Sequence, residues 1–399
     1  MNTVNQRLHA LDNLRAAMMW LGIVLHVSVN YMTASSPTPW RDQQTTVVAD
    51  LLIAFIHAFR MPVFFILAGF FAALLLDRRG VTAMLRQRVH RLVWPFLVFW
   101  PLLFISMGVL VAVYAHLAAL GTMGIDFSLI PEVPGRPKFA LLHLWFIYYL
   151  FLYCLVLALF LYLGKYMPAR LTALLATVWK NLVCKWWGVI FLALPLAAIG
   201  SFYRAGIITP PMSFMPEAAG FIHSGMFFCA GFYLYRFQAD LFEIYIRNCW
   251  KNLLAGLILL IVFLAMSKKF ENVQGSDLYL NAGMALLYNC VSWLWSFALI
   301  GGFLKYLPEQ NRLLAYLSAS SYWVYLVHML GTMGFGILLY SSPLGAVARM
   351  AVNMFLTTTF CLLSYQVLVQ RTVLGRFLNG GQRSVISNGA AQSSGVSGA

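Results

Sequence analysis

The first candidate for chemistry is a histidine in an apolar stretch near the N-terminus. His26 follows Arg15 by eleven residues, and Asp12 precedes the pair. Eleven residues of helix make about three turns, so Arg15 and His26 share one face, roughly 16 Å apart along the axis. Histidine is well suited to accept and return a proton near neutral pH. The spacing predicts a proton-transfer group that a long, thin ligand held at Arg15 could reach. The alternative is that His26 only bonds a neighbouring helix and Arg15 only extends to the membrane surface.

A second pair of ionisable residues lies in the next apolar stretch. His57 and Arg60 are three residues apart, which places them on one helix face, and Pro62 follows. An arginine this deep in an apolar segment needs an anion, a water-filled cavity or carbonyl partners. The pair is therefore a candidate for organising an active site. A structural polar network between helices explains it equally well.

A basic segment follows that stretch, and we expect it to form a loop on the inner side of the membrane. Five arginines fall within fourteen residues: Arg78, Arg79, Arg86, Arg88 and Arg91. Arginine side chains match the geometry of phosphate oxygens, so Arg86, Arg88 and Arg91 are candidates for binding a phosphorylated ligand. The alternative is a simple positive anchor, or contact with anionic lipid.

Other polar and aromatic residues are scattered more widely. His143 and Trp145 open one later apolar stretch, and Tyr325 and His328 lie three residues apart in another. Trp145, Tyr325 and His328 are candidates for organising the site, although such residues are more often structural. The six cysteines form no CxxC pair, so we expect neither a disulfide nor a metal site.

Composition identifies the elements that must position these residues. Hydrophobic residues make up 61% of the 399-residue chain and charged residues only 10%, against about 25% charged residues in a soluble domain. Since a spanning helix needs about 20 mostly apolar residues, we predict an all-α polytopic membrane protein with about ten transmembrane helices. The predicted spans lie near 14–33, 48–76, 92–114, 141–163, 187–203, 217–235, 252–267, 280–304, 316–340 and 348–369. The second span is long enough to be tilted or broken near Pro62.

The formal net charge of +15 gives an orientation. The positive residues fall between apolar runs, so they indicate topology and give no reason to expect a nucleic-acid partner. They are most frequent in the loops that lie inside if the N-terminus is inside, which places both termini in the cytoplasm. We predict a cytoplasmic N-terminus over 1–13, a transmembrane domain over 14–370 and a cytoplasmic tail over 371–399. The Gly-, Ser- and Ala-rich composition of that tail favours disorder.

Several motifs, taken in order along the chain, resemble the membrane acyltransferase family 3. They are Arg15-x10-His26, the Phe64–Phe70 segment, Arg88-x-x-Arg91, His143-Leu144-Trp145-Phe146 and Ser321-Tyr322-x-x-Tyr325-Leu326-x-His328. The resemblance covers about 11–370. Ala68 stands where many members have serine, so any hydrogen bond from that hydroxyl is missing here. The run from Phe55 to Met61 is most similar to the glucans biosynthesis protein C branch, which is associated with succinylation of periplasmic glucans.

The resemblance implies an acyltransferase of the bacterial inner membrane. Its donor would be acyl-CoA from the cytoplasm, either acetyl-CoA or succinyl-CoA, and its acceptor a hydroxyl of a periplasmic or envelope carbohydrate. By position, His26 would be the catalytic base, and Arg15 would support catalysis. The residues implied for the nucleotide phosphates are Arg15, Arg86, Arg88 and Arg91, and those implied for organising the site are Asp12, His57, Arg60, Trp145, Tyr325 and His328. Direct transfer and an acyl-histidine intermediate both fit.

Two other classes of function fit a chain of this kind. A transporter or flippase for a glycan or lipid precursor predicts polar groups along a central pathway and broken helices in matching halves. A non-enzymatic partner protein gives no reason for Arg15 and His26 to share a face. The polar residues concentrate in the first two spans and the adjoining basic segment, which favours a single reaction site. Membrane lipid is an expected partner in every case, and the oligomeric state stays open.

Overall fold

The chain folds into a bundle of helices, as its apolar composition predicts. The computed structural model describes residues 3–34, 40–130, 137–166, 168–269 and 277–378, and this part contains helices, turns and loops without a β-strand. Its α-helices are α1 (Thr3–Val29), α2 (Val47–Arg88), α3 (Trp94–Leu120), α4 (Trp145–Leu163), α5 (Ala169–Cys184), α6 (Gly188–Gly200), α7 (Ala218–Arg236), α8 (Gln238–Lys269), α9 (Leu278–Tyr306), α10 (Arg312–Leu339), α11 (Ala346–Ser364) and α12 (Val373–Leu378). The predicted all-α fold is confirmed.

The helices include several that are suited to cross a membrane. Within the described residues, six are long and apolar enough: Val47–Leu120, Leu142–Tyr166, Gln238–Lys268, Leu278–Tyr306, Arg312–Leu339 and Ala346–Val369. A seventh is added if Arg170–Cys184 and Gly188–Gly200 form one span, with a bend of 109° between the two helices. Polar and small residues keep α1 and α7 out of this set. The 74 residues of Val47–Leu120 extend over roughly 110 Å, enough for more than one crossing.

The basic segment after the second span is helical, where the sequence predicts a loop. Helix α2 continues through Pro62 and bends at Gly80, whose φ of 77° a residue with a Cβ rarely adopts. A π-helical turn, Val89–Val93, then leads directly into α3. The residues from Ala83 to Arg88 all favour helix, and the buried Met84 packs into the core. The loop prediction was therefore wrong, and Arg86, Arg88 and Arg91 have fixed positions on a helical backbone.

Close helix contacts hold the bundle together. Gly69 of α2 lies against the backbone of Phe228 in α7, and Gly231 of α7 lies against the backbone of Ile66 in α2. A methyl group at either glycine would overlap the opposite helix, so small residues allow this approach, as is common between membrane helices. Helix α1 packs against α2 and α10. This arrangement gives the polar residues of α1 neighbours on both sides.

Helices extend into both segments that the sequence assigns to the ends of the chain. Helix α1 begins at Thr3, inside the segment predicted as a separate cytoplasmic N-terminus over 1–13, because Ala10 and Leu11 are already buried in the bundle. At the other end, α12 occupies part of the tail predicted to be disordered. Gly375 packs against the backbone of Val369, and Leu378 is buried. The rest of the predicted tail, 379–399, lies outside the described residues.

Candidate active site

Three histidines from separate segments meet inside the bundle. His26 of α1 and His328 of α10 have ring centroids 5.1 Å apart, and His143, just before α4, lies 5.1 Å from His328. His328 is 2% exposed and His143 9% exposed, whereas His26 is partly accessible. We call these three residues the histidine cluster. His26 is thus the most accessible member of the cluster.

The segment before α4 is shaped to bring His143 into this cluster. Leu142 has a φ of 54°, which is unfavourable for a residue with a Cβ and is the kind of strain found at functional sites. The His143 ring lies with Nε2 3.2 Å from the Leu326 carbonyl oxygen, and the Tyr325 hydroxyl donates to the His143 carbonyl over 2.8 Å. These two contacts tie α10 to the start of α4. In the described part of the chain, no group of three His, Cys, Asp or Glu residues is arranged to hold a metal ion.

Arg60 brings a positive charge next to the histidine cluster. It is 6% exposed, and its Nε donates to the carbonyl oxygen of Met18 on α1 over 3.0 Å. Its guanidinium also lies over Gly22, where a Cβ would approach Nη2 to 2.5 Å. Arg60 is close enough to His26 for their charges to interact. The carbonyl partner required for so deep an arginine is therefore supplied by α1, about two turns before the histidine.

His57 belongs to a second polar region, formed with residues of α7 and α9. Its Nδ1 lies 2.7 Å from the hydroxyl of Tyr288 in α9. Nearby, His223 of α7 lies with Nε2 2.9 Å from Oδ1 of Asn289, and the Asn289 amide nitrogen donates to the Ala285 carbonyl over 2.8 Å. Because that oxygen can only accept, Nε2 of His223 is the donor. These bonds connect α2, α7 and α9 by polar contacts within apolar surroundings.

Three of the predicted phosphate ligands, Arg15, Arg88 and Arg91, lie close together in one part of the bundle, which we call the basic end. Arg15 forms an ion pair with Asp12 at 3.1 Å, and the charges of Arg15, Arg88 and Asp12 act on Arg91. The Nε atom of Arg88 is buried and has no hydrogen-bond partner among the described residues. The hydroxyl of Tyr322 donates to the Arg91 carbonyl over 2.7 Å, which connects this end to α10.

Two of the predicted residues lie apart from these groups. Trp145 packs its ring against Phe65 and Tyr149, at centroid distances of 6.1 and 5.6 Å, and contributes an aromatic wall. Arg86 is exposed, and its position two residues before Arg88 turns it by about 200° around the helix. Arg86 therefore does not share the face of Arg88.

Other polar contacts inside the bundle are not predicted from the sequence. His143 reads as a structural residue there, and the pairs His57–Tyr288 and His223–Asn289 have no counterpart in the sequence patterns. Ionisable and amide side chains inside apolar stretches are uncommon and expensive, so His223 and Asn289 carried a usable signal. Their partners could not be identified, because each pair joins residues more than 60 positions apart.

The comparisons with known proteins agree with the geometry. Residues 8–366 match the acyltransferase 3 family, described as an acyltransferase domain. Proteins named "Glucans biosynthesis protein C" from Salmonella paratyphi B and Salmonella agona are 39% identical over 99 residues, which is 24% of this chain and 25% of each relative. The alignment thus spans a quarter of the length of these relatives. No solved structure gives a significant match.

The matched family region contains the histidine cluster, Arg60 and the basic end, and it extends over most of the helical bundle. The resemblance inferred from the motifs is therefore confirmed, including its similarity to the glucans biosynthesis protein C branch. The chain is a multi-pass membrane protein that belongs to the acyltransferase 3 family.

Proposed function

We propose that this protein moves an acetyl or succinyl group from cytoplasmic acyl-CoA to a hydroxyl of a periplasmic glycan. Membership of an acyltransferase family supports acyl transfer, and the name of the matched relatives supports a glycan acceptor. The observation that carries the proposal is the placement of His26. It lies beside a second histidine and a buried arginine, on the same continuous helix as Arg15.

The donor site that we propose is the basic end. The nucleotide phosphates of coenzyme A would bind Arg15, Arg88 and Arg91. Arg15 has a side chain that is 39% exposed, and Arg88 has a buried nitrogen without a partner among the described residues. Such donors are available to a phosphate. The pantetheine arm would then follow the face of α1 over the roughly 16 Å that separate Arg15 from His26.

The reaction that we propose takes place beside His26. The acceptor hydroxyl gives its proton to a ring nitrogen of His26 as its oxygen forms a bond to the thioester carbonyl carbon. Negative charge develops on the carbonyl oxygen, and Arg60 supplies positive charge close by. The carbon–sulfur bond then breaks, and the proton passes from His26 to the leaving thiolate. Atoms and charge balance without a further reagent.

The membrane topology that fits this reaction has ten spans and both termini in the cytoplasm. Helices lie at each of the ten predicted positions. However, α6 has 13 residues, about 20 Å, against a hydrocarbon core of ~30 Å. The positive-inside distribution of Lys and Arg supports a cytoplasmic position for the basic end. The setting that we propose is the bacterial inner membrane, where donor and acceptor approach from opposite sides.

Binding and hydrolysis of acetyl-CoA and succinyl-CoA by the protein in nanodiscs would test the proposal. We expect His26→Ala to bind acyl-CoA without turnover. We expect the double variant Arg88→Ala with Arg91→Ala to lose roughly ten- to hundredfold in affinity per arginine, the worth of a hydrogen bond to a charged group.

The matched control is Arg78→Ala with Arg79→Ala, since both arginines are exposed in the same stretch of chain. This control should bind as the wild type does. If the folded wild-type protein binds no acyl-CoA, acyl transfer from that donor is wrong and a transporter becomes the better interpretation. If all four proteins bind equally, the donor site is not at the basic end.

A further inference from the structure

His328 is held in one tautomer by its own helix. Its Nδ1 lies 3.0 Å from the carbonyl oxygen of Val324 and 2.9 Å from that of Tyr325. A carbonyl oxygen can only accept a hydrogen bond, so Nδ1 must carry the proton. In the neutral ring, Nε2 then has a free lone pair. The backbone of α10 therefore decides which atom His328 presents to its surroundings.

In the described part of the chain, that lone pair has no hydrogen-bond donor. Nε2 of His328 is buried and has no hydrogen-bond partner among the described residues, although buried polar atoms are nearly always paired. The rings of His26 and His143 both have centroids 5.1 Å from that of His328. His143 directs its N–H at the Leu326 carbonyl, so its other ring nitrogen is itself an acceptor, and His26 is the ring that can donate. Two imidazoles joined by one N–H···N bond of normal length have centroids roughly 5 Å apart. A rotation of the partly accessible His26 ring can therefore supply the missing donor.

The bonds of His328 do not serve to join helices. Both carbonyl partners of Nδ1 lie three and four residues earlier in the same helix, so these contacts orient the ring and crosslink nothing. The contrast is with His143, whose Nε2 contacts a carbonyl of a different segment.

The charges around His26 explain how an acceptor at Nε2 of His328 would act. The titratable groups that act on His26 within the described residues are His57, Arg60, His143 and His328, and none of them is a carboxylate. When His26 takes a proton, Arg60 repels the resulting imidazolium. A neutral lone pair is then the available group that can stabilise it.

We propose that His328 is a positioning residue for His26, an inference that rests on the proposed function. Its Nε2 accepts the N–H of one ring nitrogen of His26, which leaves the other ring nitrogen free to face the acceptor hydroxyl. As His26 takes the hydroxyl proton, this hydrogen bond becomes charge-assisted and stronger. No proton moves to His328. The proton returns from His26 to the thiolate, and His328 keeps its tautomer throughout.

The test uses two substitutions that differ in where they put an acceptor. His328→Gln can place an oxygen near the position of Nε2, whereas His328→Asn places it near Nδ1. We expect His328→Asn to lose roughly ten- to hundredfold in kcat for acyl-CoA turnover, the worth of one hydrogen bond to a charged group, with KM unchanged. His328→Gln should recover most of that loss. His223→Gln is the matched control, since this histidine bonds Asn289 and is not among the groups acting on His26.

Nitrogen-15 NMR of histidine-labelled protein in nanodiscs provides a second measurement, independent of turnover. We expect the proton of His328 on Nδ1, assigned by its loss in His328→Gln. A proton on Nε2 would overturn the proposal.

Equal turnover by His328→Gln, His328→Asn and the wild type would also overturn it. So would a His328→Gln variant as inactive as His26→Ala, because the imidazole itself would then be required. In each of these cases wild-type turnover persists and the proposed function remains. Absence of wild-type turnover would instead overturn the proposed function and this role together.

Discussion

The two ends of the bundle hold their arginines in opposite ways. Away from the basic end, Arg349 of α11 is 3% exposed and its donors are engaged. Nε donates to the Leu344 carbonyl over 2.8 Å, Nη1 donates to the Tyr340 carbonyl over 2.7 Å and to Asp42 over 2.8 Å, and Nη2 donates to the Ser342 carbonyl. We call the Asp42–Arg349 pair the buried lock. It joins the segment between α1 and α2 to the connection between α10 and α11.

At the basic end, Arg15 and Arg88 have donors that the described residues do not all engage. The Arg15 side chain is 39% exposed and has one ion pair, with Asp12, and Arg88 has a buried nitrogen without a partner among the described residues. A charge inside a membrane protein must be paired or face water or a ligand. Arginines whose hydrogen-bond donors are all engaged therefore support the fold, whereas arginines with unengaged donors are the candidates for binding.

The largest effect that we expect from this comparison is loss of stability in Arg349→Ala. Removing one partner of a buried ion pair leaves the other charge uncompensated, at a cost of about 3–5 kcal/mol in the free energy of unfolding. Arg15→Ala removes a half-exposed pair, for which we expect less than about 1 kcal/mol. Unfolding curves in detergent would compare the two variants. Equal losses would show that the distinction between the two ends is wrong.

The buried lock also shows what the sequence could not reveal. Arg349 reads as one more positive residue at the outer end of a span, and no neighbour in the sequence indicates burial. Its partner Asp42 is 307 positions away, in a connection without a hydrophobic pattern. Packing at that range depends on how α1, α10 and α11 come together, which local patterns do not specify.

The helices and the main site residues were predictable for the opposite reason. A continuous apolar run determines where a membrane helix lies, and regular helix geometry places Arg15 and His26 on one face of α1 without tertiary information. The loop prediction for the basic segment is wrong for a local reason. The Asp77–Arg91 charges suggested a loop, although Gly80 is the single break and the residues around it favour helix. Polar residues between two spans usually indicate that a helix ends, whereas here the helix continues through them.

Arg60 is buried like Arg349 but makes fewer hydrogen bonds, so its role can be tested. It makes one backbone bond, to Met18, and its guanidinium fits over Gly22. Gly22→Ala would put a methyl group 2.5 Å from Nη2 and displace the charge from its place near His26. We expect about a tenfold loss in kcat, equivalent to about 1.4 kcal/mol, with acyl-CoA affinity unchanged.

The matched control for this prediction is Gly283→Ala in α9, where a Cβ would meet no atom within 4 Å. Its turnover should equal that of the wild type. If Gly22→Ala is also fully active, the charge of Arg60 does not act in the reaction, and Arg60 belongs with Arg349 as a structural residue.

The smallest effect that we expect comes from Tyr114→Phe, which changes the contacts of the segment between α1 and α2 that carries Asp42. The Tyr114 hydroxyl of α3 accepts from the Arg41 amide over 3.1 Å and donates to the Arg41 carbonyl over 2.8 Å. Tyr114→Phe removes both bonds, and since Arg41 is only half-buried, water can replace part of them. We expect a loss of about 1 kcal/mol in the free energy of unfolding and unchanged turnover.

Tyr279→Phe, at a tyrosine that is 87% exposed, should change neither quantity. A loss of turnover in Tyr114→Phe as large as that in Gly22→Ala would make the segment beside the buried lock part of the active site, and the division between a structural end and a binding end would fail.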